Sequence, residues 1–219
     1  MLTSLVIFAA TGALAGFLAG LLGIGGGMVL VPALIFSFEA QGVSATVLTH
    51  LAVGTSLASI VLTSISSVRT HHAQGGVDVE LFKRLAPGLV IGSLLGAQIA
   101  HALPARTLQI IIGIFAVWTG LKMFRGSKPV AIDAAAPTVT QLNAVGGVIG
   151  VASAIFGIGG GSLMVPYLVK QGVAMRRAVG TAAACGFPIA IAGMIGFIYS
   201  GWGLSELPAG STGYIYWPA

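Results

Sequence analysis

Two short glycine runs carry the most chemical promise in this sequence. Gly25-Gly26-Gly27-Met28 and Gly159-Gly160-Gly161-Ser162 each open an apolar stretch with a proline at the same offset, Pro32 and Pro166. Glycine lets a backbone leave helical geometry and lets a ligand approach without Cβ interference. A helix beginning at Met28 or Ser162 starts with amides that have no intrahelical acceptor, at the positive end of its dipole. Such a terminus can hold an anion without Lys or Arg. The prolines, in the first turns of those helices, help fix the break. Glycines used only for close packing would explain either run alone, but explain a matched pair with matched prolines less well. These are not nucleotide loops, because no Lys follows the glycines and no strand precedes them.

Thr55, Ser56 and Thr181 lie in spans that could flank the breaks. Their hydroxyls could donate to substrate oxygens, or simply bond their own i−4 carbonyls. His50 is expected near the outer end of its span with its needs met at the interface. His71 and His72 are expected in a polar loop and His101 near a helix end, all solvated. All five carboxylates, Glu39, Asp78, Glu80, Asp133 and Glu206, fall in or beside expected loops, which argues against a carboxylate-relayed proton pump. The histidines lack metal-ligand spacing, and no Ser–His nucleophile motif is present. The single Cys185 excludes an intramolecular disulfide or a CxxC site and reads as a small packing residue. The chain is therefore expected not to be an enzyme, and to need no metal or cofactor.

The elements that position these residues are apolar spans. Hydrophobic residues make up 56% of the chain and charged residues 7%, against about 25% charged in a soluble domain. The net charge of +5 comes from basic residues scattered singly, so it points to membrane orientation rather than nucleic acid. Apolar segments run over 2–23, 28–38, 45–68, 85–103, 107–124, 142–158, 162–169 and 178–199, with another opening near 213. Their lengths and the lack of period-2 alternation predict helices in a bilayer. Small-residue stripes, Gly12/Gly16/Gly20 and Gly88/Gly92/Gly96, predict close helix packing. The N-terminus has no basic n-region, which argues against a cleaved leader.

Repetition organises the chain. Leu22 to Pro32 recurs as Phe156 to Pro166, and Ala52-Val53-Gly54-Thr55 recurs as Ala178-Val179-Gly180-Thr181. Repeat one covers 1–125, a cytoplasmic linker 126–140, and repeat two 141–219; the repeat predicts roughly 40 residues, two helices, beyond Ala219. Segment 28–38 is only about 16 Å long as a helix, too short to span alone. If each glycine-broken pair of segments is a hairpin returning to its starting side, nine of the ten Lys and Arg residues share one side and only Arg106 faces the other. The positive-inside rule favours that arrangement. The expected fold is thus an all-α integral membrane protein of two inverted repeats. Each repeat is a broken-helix hairpin plus three spans, the second truncated, with the N-terminus outside. Inverted repeats with broken helices mark secondary transporters.

The paired Gly-Ile-Gly-Gly-Gly-x-x-x-Val-Pro motifs, each with Ala-Val-Gly-Thr downstream, resemble the sulfite exporter TauE/SafE family of bacterial membrane permeases. The resemblance implies transport of sulfite, sulfonates or related organosulfur anions across the bacterial cytoplasmic (inner) membrane. One departure is Gly180-Thr181-Ala182 where repeat one has Gly54-Thr55-Ser56. The expected partners are a small anionic substrate and the lipid bilayer, with no nucleic acid and no oligomeric state implied. Competing expectations are a permease for another organic acid and a non-transporting membrane scaffold or assembly factor. A scaffold has no need of two broken helices.

Overall fold

The computed structural model describes residues 8, 12–13, 16–17, 26–124 and 137–219. Over residues 26–219 the described residues form, in order, α1 (Gly27–Ala40), α2 (Leu48–Ala73), α3 (Val79–Ala102), α4 (Ala105–Phe124), α5 (Val139–Phe156), α6 (Gly161–Lys170) and α7 (Met175–Ser200). Among the described residues, α2, α3, α5 and α7 are long and apolar enough to cross a membrane. The chain is an integral membrane protein. Starts and stops follow local chemistry. Asp78 caps α3 by accepting from the Leu81 amide, and Thr138 with Gln141 forms a capping box on α5.

The last apolar segment does not open a helix. Ser211–Thr212 pairs antiparallel with Ile215–Tyr216 in a two-stranded ribbon, β1 and β2. Gly213, at φ +55°, begins the two-residue turn, which needs a positive φ that glycine adopts freely. The all-α expectation is corrected to that extent.

Packing between helices relies on missing side chains. A Cβ on Gly88 would lie 2.1 Å from the Asn143 carbonyl oxygen, one on Gly92 2.1 Å from that of Gly147, and one on Gly96 2.5 Å from that of Val151. The Gly88/Gly92/Gly96 stripe thus seats α3 against α5, and both helices climb together, so they run parallel. The other stripe behaves differently. A Cβ on Gly12 or Gly16 would meet nothing within 4 Å, so in the described part these glycines seat no neighbour. Gly20 lies outside the described residues.

α2 and α7 each have 26 residues and cross in opposite directions. A Cβ on Gly54 would approach Phe197, and one on Gly193 would meet Leu57 at 2.9 Å. Their ends are clasped reciprocally. The Thr181 hydroxyl of α7 accepts from the Asp78 amide at 2.9 Å, while a Cβ on Gly180 would lie 2.3 Å from the Gly76 oxygen. The Thr55 hydroxyl of α2 accepts from the Tyr216 amide at 3.0 Å, while a Cβ on Gly54 would lie 2.2 Å from the Tyr214 oxygen. In each clasp glycine admits the carbonyl of residue j and threonine holds the amide of residue j+2. Each Gly-Thr pair holds the segment that follows the other long helix.

The clasps define two ends. Loops 74–78 and 171–174 share one end, where Arg176 donates to the Gln74 oxygen and Arg177 pairs with Asp78 at 2.8 Å. Loops 41–47 and 201–216 share the other, joined by the Thr46–Glu206 hydrogen bond. Because α5 is parallel to α3, it starts at the first end, and α6 returns there. Arg69, Lys83, Arg84, Lys122, Lys170, Arg176 and Arg177 lie towards that end and Arg106 at the other; Arg125 and Lys128 are outside the described residues. Two apolar clusters form around the two short helices. Val31, Leu34 and Phe38 of α1 pack on Leu51, Val53 and Leu57 of α2, while Met164 and Leu168 of α6 pack with Leu85, Leu89, Cys185 and Ile189.

Candidate functional site

The second glycine run breaks a helix. α5 ends at Gly157, which is left-handed at φ +65°, and α6 starts after Gly160, at φ +75°. Pro32 and Pro166 are each the sixth residue of their short helix, α1 and α6. Each ring removes one rung of the hydrogen-bond ladder just past the break. Gly26, the counterpart of Gly160, is right-handed at φ −53°, and α1 starts immediately after it. Gly25 lies outside the described residues.

The two runs meet. A Cβ on Gly27 would lie 2.2 Å from the Gly157 oxygen and 2.8 Å from the Ile158 Cα, so only glycine allows α1 to begin there. Ser56 of α2 donates to that same Gly157 oxygen at 2.9 Å. A Cβ on Gly159 would approach Ile60 at 3.2 Å, and one on Gly186 would lie 2.9 Å from the Gly159 oxygen. Phe115 stacks on Phe156 with ring centroids 3.8 Å apart. Ile60, Phe115 and Gly186 are each near the middle of their helix, so the break sits at mid-depth among α2, α4 and α7.

A cavity of about 740 Å³ opens at this junction. Gly26 reaches it from the first run, and Gly159, Gly161 and Ser162 from the second. Pro166 also lines it, and Gly16 faces it rather than a packed helix. Met28, Pro32, Thr55, Ser56, Gly160 and Thr181 do not. Thr55 and Thr181 are buried, with their oxygens accepting from the clasped loops. Ser56 buttresses the break from behind, and its counterpart Ala182 lines the cavity, which accounts for the asymmetry in sequence. Another cavity, between α3, α4 and α5, is lined by apolar residues such as Ile99, Ile111, Val148 and Phe156, with no charged side chain among the described residues.

Sequence reasoning missed the polar wall. Thr63, Ser64, Ser67 and His71 line the cavity from one face of α2, and Lys122 lines it from α4. His71 and His72 lie in the last turn of α2, not in a loop, because that helix runs on to Ala73. The spacing of Ser64, Ser67 and His71 by three and four was the available signal. Among the described lining residues there is no carboxylate. Glu39, Asp78 and Glu80 are at helix ends and Glu206 in a loop; Asp133 is outside the described residues. His50 is buried away from the cavity, donating from Nε2 to the Ala100 oxygen at 3.0 Å and stacked on Tyr214.

The profile of the sulfite exporter TauE/SafE family matches residues 8–219. The chain belongs to that family. It is a membrane transporter and not an enzyme. Among its relatives is a "Probable membrane transporter protein" of Haemophilus influenzae, 38% identical over all of this chain and 83% of that protein. YunE of Bacillus subtilis, similarly named, is 31% identical over 76% of this chain and 67% of its own length. MJ0441 of Methanocaldococcus jannaschii, also named a probable membrane transporter protein, is 28% identical over 94% of this chain and 73% of its own. No solved structure is a significant match.

Proposed function

We propose that this TauE/SafE protein is a secondary permease for a small anion, held where the two glycine runs meet. One observation carries the reading: two sequence-distant glycine runs converge at mid-depth on one cavity whose lining holds Lys122, His71 and the α6 N-terminus but, among the described residues, no carboxylate. The dipole of α6 and the Lys122 ammonium favour negative charge there. Gly26, Gly159, Gly161 and Ser162 are the proposed contacts. Gly25 and Met28 flank them in sequence, and Gly27, Gly160, Pro32, Pro166 and Ser56 shape the break. Thr55 and Thr181 act at a distance, through the clasps.

The family's name supports sulfite, a sulfonate or a related organosulfur anion as cargo. The size of the cavity and its apolar residues, Ile60, Trp118 and Leu163 among them, favour the second reading of a permease for another organic acid. Inverted repeats are the matching architecture, with repeat one at 1–125, repeat two at 141–219 and a linker at 126–140. Related helices α2 and α7 run antiparallel and exchange equivalent clasps, as a two-fold axis in the membrane plane requires. The reading places the protein in the inner membrane with loops 74–78 and 171–174 inside. Proteoliposomes carrying the full-length protein, given labelled sulfite, taurine and acetate, test it. Saturable uptake of at least one anion is expected, and protein-independent leakage of all three would sink the reading.

A further inference from the structure

We propose a second anion subsite in the same cavity, formed by Lys122 of α4 with Ser67 and His71 of α2, that captures the oxyanion headgroup of an organic acid on its way to the glycine breaks. It rests on the permease reading above and adds residues, a position and a ligand class to it. Phe115 marks the depth of the break on α4, and Ile60 marks it on α2. Lys122 and Ser67 are each seven residues further on, about 10 Å along their helices towards the basic end, and His71 is one turn beyond. The subsite is therefore separate from the α6 N-terminus yet opens into the same space.

Charge at that end is unbalanced in favour of anions. Asp78 is taken by Arg177 and Glu80 by Arg84, whereas Lys122 has no ion pair among the described residues. Its ammonium lies 5.0 Å from the centroid of the Trp118 ring, which holds the cation at the cavity wall. A cation inside a walled cleft raises the local concentration of anions and so speeds their capture. The ligand class follows from what surrounds it. Trp118, against Lys122, and Met175 and Val179 give the same cavity apolar lining, suited to a hydrocarbon body carrying a carboxylate or sulfonate. A bare inorganic ion would leave that lining without a contact.

The test is equilibrium binding of benzenesulfonate and of inorganic sulfate to the full-length protein in nanodiscs of zwitterionic lipid, where no anionic headgroup competes. Lys122→Met keeps the packing on Trp118 and removes the charge. Benzenesulfonate affinity is expected to fall about tenfold in Lys122→Met and to return in Lys122→Arg, with thermal stability unchanged in both. Sulfate is expected to bind more weakly than benzenesulfonate. Wild-type affinity in Lys122→Met, or no recovery in Lys122→Arg, overturns the subsite. Equal affinity for the two probes overturns the organic class. A Gly161→Ala control separates the two readings. Loss of binding in that variant with wild-type affinity in Lys122→Met refutes the subsite alone. The opposite pattern refutes the glycine site and leaves the Lys122 subsite standing.

Discussion

Equivalent glycines in the two copies of the motif do different work, and the difference can be measured. Gly161 lines the cavity, and a Cβ there would meet nothing within 4 Å. Gly161→Ala should fold at least as well as wild type, since the methyl meets open space and alanine leaves the unfolded chain less freedom, a gain of about 0.4–1 kcal/mol. If the α6 N-terminus receives the anion, the added methyl obstructs it, and affinity should drop about tenfold or more. Gly27 is the contrast. Its Cβ would overlap the Gly157 carbonyl at 2.2 Å, a backbone atom that cannot swing aside. Gly27→Ala should reduce the yield of folded, monodisperse protein. Size-exclusion profiles and binding isotherms on both variants separate a site from a seam, and a stable Gly161→Ala with unchanged affinity would remove the site assignment.

The clasps belong to the scale of elements. Thr55 and Thr181 hold backbone amides more than 100 residues away in sequence, each two residues past the carbonyl that the preceding glycine admits. Replacing either by valine keeps the shape and strands a partly buried amide, at a cost of about 1–3 kcal/mol. Thr55→Val and Thr181→Val should therefore lower Tm by similar amounts in thermal melts, and serine at either position should restore most of it. Substrate affinity of the folded fraction should stay at the wild-type value. A large affinity change with an unaltered Tm would instead return these hydroxyls to the substrate. Ser59 shows the alternative fate of such a group, donating to its own helix at the Thr55 carbonyl. The packing partner, not the residue type, decides between the two.

For the whole molecule the question is which end faces the cytoplasm. Loops 74–78 and 171–174 share the basic end and loop 41–47 the opposite one. Single cysteines at Gln41, Gln74 and Ala174, in a Cys185→Ala background, report on all three. An impermeant maleimide should label position 41 in intact cells, and positions 74 and 174 only after permeabilisation. Labelling of 41 and 174 from the same side would contradict both the hairpin of α5 and α6 and the inverted relation of the halves.

Much was legible in the sequence alone: the membrane class, the break at the second glycine run and the Gly88/Gly92/Gly96 seam. Composition and small-residue spacing are local properties, readable within one or two helical turns. Tertiary structure decided the rest. That Gly27 seats on Gly157, that Thr181 serves loop 74–78, and that Lys122 and His71 share a cavity with Gly161 all depend on segments distant in sequence. The ribbon over 211–216 likewise forms where the chain folds back on α7, with the Tyr214 amide donating to the Phe197 oxygen. Its apolar residues look like the start of a helix until that contact exists. A side chain's neighbours across the fold set its role, and no local periodicity encodes them.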